Sequence, residues 1–240
     1  INGATTGMLS VSNISATDEG IYYAEITGTC STESTAPVTL TVDKKVVITD
    51  HPFSLVECEG SNVIFSVSAT GTGLSYQWRR NGTVLSEGSD YSGVTTSTLS
   101  TGNISQLHSG SYDVVVTGTC STETSNPATL TVKYIPVIQT QPADVTECAG
   151  GDVSFSVSPG FTTLPSYQWQ VDDNSGSGFI NITGADGQVL NLTGITYAMS
   201  GYRYRVIVSG DCPPPVISDP AILTVNMLPE IAVHPQPVTV

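Results

Sequence analysis

Five cysteines, three histidines and one short acidic run are the residues of this 240-residue chain whose types could carry chemistry. The cysteines are Cys30, Cys58, Cys120, Cys148 and Cys212, far apart and with no CxxC pair. No histidine accompanies them at zinc-ligand spacing, so metal binding is the weakest of their uses and disulfide formation the natural one. His51 and His234 precede prolines, and His108 stands in a turn. These are places for solvated loop residues rather than for a general base. Asp172-Asp173-Asn174-Ser175-Gly176 has the composition of a calcium-loop fragment. It lacks the downstream bidentate glutamate, and Phe179-Ile180 resumes a strand at once, so a hairpin turn is expected. No G-x-S-x-G, H-E-x-x-H, G-x-G-x-x-G or P-loop occurs. The expectation is a non-enzyme without cofactor, metal or catalytic residues. Arg79 and Arg80 are expected on a solvated face. Sequons occur at Asn13, Asn81, Asn103, Asn181 and Asn191. They matter as glycan acceptors only in a eukaryotic secreted chain.

The elements that hold these residues are strands. Charged residues make up 12% of the chain, with 7 basic against 21 acidic and a net charge of -14. That balance repels phosphate backbones and anionic membrane surfaces, which argues against nucleic-acid binding. No apolar run approaches the roughly 18 residues of a membrane helix. The opening Ile1-Asn2-Gly3-Ala4 is not a signal peptide. Val63, Phe65 and Val67 alternate with polar residues, as do Val153, Phe155 and Val157. Tyr112, Val114 and Val116 repeat the pattern, and so do Tyr204, Val206 and Val208. Period-2 alternation between Gly, Pro, Asn and Asp clusters reads as half-buried strands joined by turns.

The chain also repeats itself at about 90 residues, the size of one sandwich domain. ITGTCSTESTAPVTLTV ends at Val42, VTGTCSTETSNPATLTV at Val132, and the divergent VSGDCPPPVISDPAILTV at Val225. FSLVECEGSNVIFSVSATG recurs as ADVTECAGGDVSFSVSPG, and SYQW occurs at Ser75–Trp78 and again at Ser166–Trp169. Cys30, Cys120 and Cys212 are therefore one repeat position, and Cys58 and Cys148 another.

These segments resemble the immunoglobulin superfamily. EGSNVIFSV looks like strand B, and Trp78 and Trp169 like the buried strand-C tryptophan. Asp18-Glu19-Gly20-Ile21-Tyr22 matches the D-x-G-x-Y tyrosine corner, with Tyr112 and Tyr204 at the same position in later copies. The resemblance implies an all-β chain of tandem immunoglobulin-like β-sandwich domains in an extended rod. One departure is clear: Val67 with Val114, and Val157 with Val206, stand where the family places its inter-sheet cysteines. An aliphatic pair serves if packing volume is kept.

On that resemblance, residues 1–42 are the C-terminal half of a domain. Residues 46–132 and 135–226 are complete domains, and 230–240 are the first strand of a further one, with His234-Pro235-Gln236-Pro237-Val238 echoing residues 140–145. Linkers are short, Asp43-Lys44-Lys45 and Lys133-Tyr134. The uneven ends suggest a window on a longer array. Strand exchange between chains is the alternative.

The same resemblance speaks to the cysteines. It puts Cys58 at the bottom of its domain, in the turn before strand B, and Cys120 at the top, after strand F. Stacked domains would then pair Cys58 with Cys212, while Cys30, Cys120 and Cys148 would find partners outside this segment. Pairing inside each domain, Cys58 with Cys120 and Cys148 with Cys212, stays open.

YQWQVDDNSGSGFINI, MSGYRYRVIVSG and GSYDVVVTGTCSTETSNPATLTV look like the repeats of giant secreted surface proteins of Bacteroidota. These include gliding-motility adhesins of the SprB type exported by the type 9 secretion system. The resemblance implies an extracellular, cell-surface filament that contacts adjacent repeats, polysaccharide or other cells. A spacer in a secreted multidomain enzyme and a glycan-binding module are the other classes. The latter predicts aromatics clustered in exposed loops.

Overall fold

The computed structural model describes residues 4–233. They form short strands, with one-turn helices at Ala16–Asp18, Gln106–His108 and Tyr197–Met199. Compactness divides the chain into two units: residues 1–55, 62–103 and 108–131 make the first, and residues 56–61, 104–107 and 132–240 the second. Residues 230–233 form no strand, and the His234–Val238 segment lies outside the described residues.

In the first unit, Val63–Ser66 pairs antiparallel with Thr98–Thr101, and Val47–Asp50 with Ser68–Thr70. The facing sheet runs Thr83–Val84, Ser75–Arg80, Gly110–Thr117 and Ala128–Lys133, with Thr122–Thr124 also pairing Gly110–Thr117. Alternation decides which faces meet. Val63 and Phe65 on one layer and Tyr112, Val114 and Val116 on the other are buried, while Ile64 between them is exposed. Phe65 stacks on Tyr112 with ring centroids 4.7 Å apart and tilts against Trp78 at 6.3 Å. Val67 and Val114 are buried in that core.

Residues 4–42 of the same unit pair Gly20–Tyr22 with Val38–Leu40 and Glu25–Thr27 with Thr32–Ser34. The equivalent of Gly20–Thr27 in the next repeat is one continuous strand, Gly110–Thr117, paired on its other side by Ser75–Arg80. Among the described residues that second pairing is not made, and the strand breaks at Tyr23-Ala24. Ile26 is 66% exposed, whereas its counterpart Val116 is fully buried.

In the second unit, Val153–Ser156 pairs with Val189–Leu192 and Ile138–Thr140 with Ser158–Pro159. The facing sheet runs Val145–Cys148, Ala221–Asn226, Arg203–Ser209, Ser166–Asp172 and Ile180–Asn181. Its first pair is parallel. Phe155 stacks on Tyr204 at 4.8 Å and tilts against Trp169 at 6.5 Å, within a core that also holds Val157 and Val206.

Candidate functional site

The structure joins Cys58 to Cys212 in a disulfide across a sequence separation of 154 residues. Their Cα atoms lie 5.6 Å apart, inside the usual disulfide range. Both belong to the second unit. Cys58 ends the strand Leu55–Cys58. The chain then turns sharply, with Ser61 N donating to Cys58 O at 3.1 Å and Gly60 at φ 85°. Only glycine takes that backbone geometry without strain. Cys212, fully buried, follows Gly210-Asp211 and precedes Pro213-Pro214-Pro215. Asp211 N donates to Thr163 O at 3.0 Å. A Cβ on Gly210 would lie 2.8 Å from that same carbonyl oxygen, so the loop needs glycine there.

Neighbouring groups complete the site. Glu59 N donates to Lys133 O at 2.9 Å, and Lys133 Nζ pairs with Asp211 at 2.7 Å. Both side chains of the ion pair are about a third exposed, so water and salt screen it. Tyr134 N donates to Thr163 Oγ1 at 3.0 Å, and the Tyr134 ring stacks on Phe161 at 5.3 Å. Tyr134, Ile135, Val137, Gly160 and Phe161 line a groove of about 360 Å³, with Glu59 and Gln139 beside them. The sequence marks Lys133 and Tyr134 only as a linker and gives no sign of the Lys133–Asp211 pair or the Tyr134–Phe161 stack. Their partners lie 78 and 27 positions away, beyond any local pattern.

Cys30, Cys120 and Cys148 are free and exposed. Cys120 Sγ lies 3.7 Å from Asp43 O, in hydrogen-bonding contact. Trp78 and Trp169 are fully buried, and each indole N–H donates at 2.9 Å, to Thr96 O and Gly187 O. Tyr22 and Tyr112 donate from their hydroxyls to Asp18 O and His108 O, both at 2.7 Å. That is the tyrosine-corner bond. Tyr204 is buried at the corresponding place, and no such bond is found for it among the described residues. Burial pushes its phenol up to about 12, with Tyr202 adding to the shift, and burial also raises Tyr112 well above the usual range.

His51 and His108 hold structural places: His51 Nδ1 accepts from Asn126 N at 3.0 Å, and His108 supplies the carbonyl to Tyr112. The run Asp172–Gly176 is a hairpin turn between paired strands. Asp172 is buried against Arg203, and Asp173 Oδ1 caps Ser175 N at 3.0 Å. Among the described residues, no three His, Cys, Asp or Glu side chains form a metal-binding group. The solvated face expected for Arg79 and Arg80 is corrected. Arg79 makes a two-pronged pair with Asp113 at 2.7 and 2.9 Å, which raises its pKa, and Arg80 donates to Tyr91 Oη at 3.0 Å. Both are half-buried, because antiparallel pairing sets Arg79 directly across from Asp113.

No protein-family profile matches the chain, and no curated protein matches it in sequence. Solved structures do match. The I-band fragment I67-I69 from titin aligns with TM-score 0.64 at 16% identity, covering 89% of this chain and 76% of that one. DIP-gamma IG1+IG2 aligns with TM-score 0.56 at 17% identity, covering 75% of this chain and 97% of that one. The complex of Dpr11 IG1 bound to DIP-gamma IG+IG2 aligns with TM-score 0.50 at 18% identity, covering 75% and 98%. At these identities the likeness establishes the fold: the chain is a tandem of immunoglobulin-like β-sandwiches.

Proposed function

We propose that this chain is a non-catalytic stalk segment of a large, secreted cell-surface adhesin. In this reading residues 46–132 and 135–226 are successive complete domains. The observation that carries it is the Cys58–Cys212 disulfide. It ties a turn of one sequence repeat to a loop of the next. A covalent tie between consecutive repeats suits a part whose task is to hold its shape, and disulfides persist in oxidising, extracellular surroundings. The tandem immunoglobulin-like fold supports the same reading. No helix of the described residues is long and apolar enough to cross a membrane.

The finer reading is a filament of the giant Bacteroidota kind, serving attachment or gliding motility. It rests on the resemblance of the repeats. Its partners are adjacent immunoglobulin-like repeats of the same polypeptide, and polysaccharide or another cell surface. The likeness to a complex of one immunoglobulin domain bound to others supports partnering between such domains. A spacer role in a secreted multidomain enzyme is the competing reading.

The test is the native polypeptide. A reducing gel and mass spectrometry should find it at hundreds of kilodaltons, and proteolysis of intact cells should shave it from the surface. A native mass near 25 kDa would overturn the stalk reading in favour of strand exchange. A catalytic domain in the same polypeptide would favour the spacer.

A further inference from the structure

We propose that Cys148 is the covalent docking point for a Gly-x-Cys loop on another immunoglobulin-like repeat of the same kind, so that the Cys58–Cys212 bond is one rung of a ladder. The case rests on what the two turns share. Glu57-Cys58-Glu59-Gly60 recurs as Glu147-Cys148-Ala149-Gly150. Ser61 N reaches Cys58 O at 3.1 Å, and Gly151 N reaches Cys148 O at 3.1 Å. Gly60 N donates to Ile104 O at 2.7 Å, and Gly150 N to Ile195 O at 2.7 Å. Glu59 N holds Lys133 O at 2.9 Å, and Ala149 N holds Asn226 O at 3.0 Å. Gly60 and Gly150 have φ of 85° and 89°. The backbone that presents Cys148 is therefore the backbone that presents Cys58, and at that position Cys58 is bonded while Cys148 is an exposed thiol.

The complementary half recurs as well. Asp211 N donates to Thr163 O at 3.0 Å, and Thr119 N to Thr72 O at 2.9 Å. A Cβ on Gly210 would lie 2.8 Å from Thr163 O, and one on Gly118 would lie 2.9 Å from Thr72 O. Gly118-Thr119-Cys120 is thus built like Gly210-Asp211-Cys212, and its thiol too is exposed. Each complete repeat carries one turn cysteine and one loop cysteine. The partner that fits Cys148 is a loop of the second type. The Cys148 thiolate attacks a small-molecule disulfide such as oxidised glutathione and releases one glutathione thiol. The loop thiolate then attacks the mixed disulfide, releases the second glutathione thiol and leaves the protein disulfide. Each protein thiol gives up its proton to solvent and the released glutathione thiolates take protons up, so electrons and atoms balance.

This deepens the stalk reading and is tested apart from it. The probe is the whole chain through Pro229 followed by a second copy of residues 137–229, made in a glutathione redox buffer. It is alkylated without reduction and mapped as tryptic peptides. The two Cys212 peptides end differently and are told apart by mass, and fragmentation of the first, which also holds the second copy's Cys148, places its bond. The expected map has Cys58 joined to the first Cys212 and Cys148 joined to the second copy's Cys212, with as many free thiols as the parent chain. Cys148→Ser should leave the second copy's Cys212 open to alkylation while the Cys58 bond persists. A chain in which Cys58–Cys212 has formed but Cys148 alkylates fully would overturn the ladder. So would a Cys148 joined to any other cysteine. Either result leaves the stalk reading to the native mass and surface measurements.

Discussion

The hydroxyl of Tyr112 donates to the carbonyl oxygen of His108, four residues back, while its ring lies stacked on Phe65. One side chain therefore closes a turn and fills the core. Removing the hydroxyl alone, with Tyr112→Phe, should cost about 1–2 kcal/mol, because the hydroxyl also lies 3.2 Å from Tyr91 Oη. Tyr112→Ala should cost about 3–5 kcal/mol through the cavity it leaves. Urea unfolding followed by tryptophan fluorescence separates the two, and an unchanged midpoint for Tyr112→Phe would show that the corner bond contributes nothing.

The same burial sets a pH limit. Tyr204 is raised from 10.0 to about 12, and Tyr112 is raised further. The unfolded chain ionises these phenols near pH 10, whereas the folded chain keeps them neutral, so between those values the folded state holds more protons. Stability is thus full below about pH 10 and declines as pH climbs towards the folded values. Denaturant midpoints measured from pH 8 to pH 12 should fall only in the upper part of that range. Tyr204→Phe should flatten part of the decline.

Breaking the disulfide is expected to destabilise the segment by about 2–4 kcal/mol. Cys212→Ser and Cys58→Ser should each show that loss, and reducing agent should bring the parent to the same level. Cys30→Ser, at an exposed and unpaired position, should leave the midpoint unchanged.

Gly210→Ala should impair the disulfide-bearing loop without touching a cysteine. Its Cβ would press on the Thr163 carbonyl, which is backbone and cannot swing away. A cost of about 1–3 kcal/mol is typical of such overpacking, and disulfide formation, followed by alkylation, should slow. Gly176→Ala is a poor control because its φ is 88°. Gly28→Ala, with only an ordinary 3.7 Å contact, is the better one.

Arg79 and Asp113 offer a pair of known geometry in partial exposure, at 29% and 21%. A double-mutant cycle should return a coupling of about 1 kcal/mol or less, reduced by high salt.

What the sequence revealed follows the range of each signal. Alternation is local, so the strands around Phe65, Phe155, Tyr112 and Tyr204 were readable residue by residue. Repetition exposed the equivalence of Cys58 with Cys148 and of Cys120 with Cys212. Pairing Cys58 with Cys212, however, needed the likeness to a known sandwich. Side-chain contacts made across strands left no local trace. Ser125 and Ser218 each accept a backbone N–H, from Val114 and Val206, deep in the sandwich. In sequence they are unremarkable serines after a turn. Arg79 looked like a solvated charge because its partner, Asp113, stands 34 residues on. The break at Tyr23-Ala24 was hidden for another reason. The segment shares its glycine, first tyrosine and threonine with the continuous strand Gly110–Thr117, and among the described residues no strand pairs its other side.

The bond between Cys58 and Cys212 also changes how the chain would carry force. A pull on residues before Cys58 and after Cys212 passes through the two sulfur atoms, and the intervening backbone, spanning a separation of 154 residues, is bypassed. The load is met first by the strands that lie outside the bridge, Val47–Asp50 and Ala221–Asn226, which pair with Ser68–Thr70 and Arg203–Ser209. Extension under tension is then confined to the residues outside the bridge, and the bypassed strands unravel only after the disulfide has been reduced.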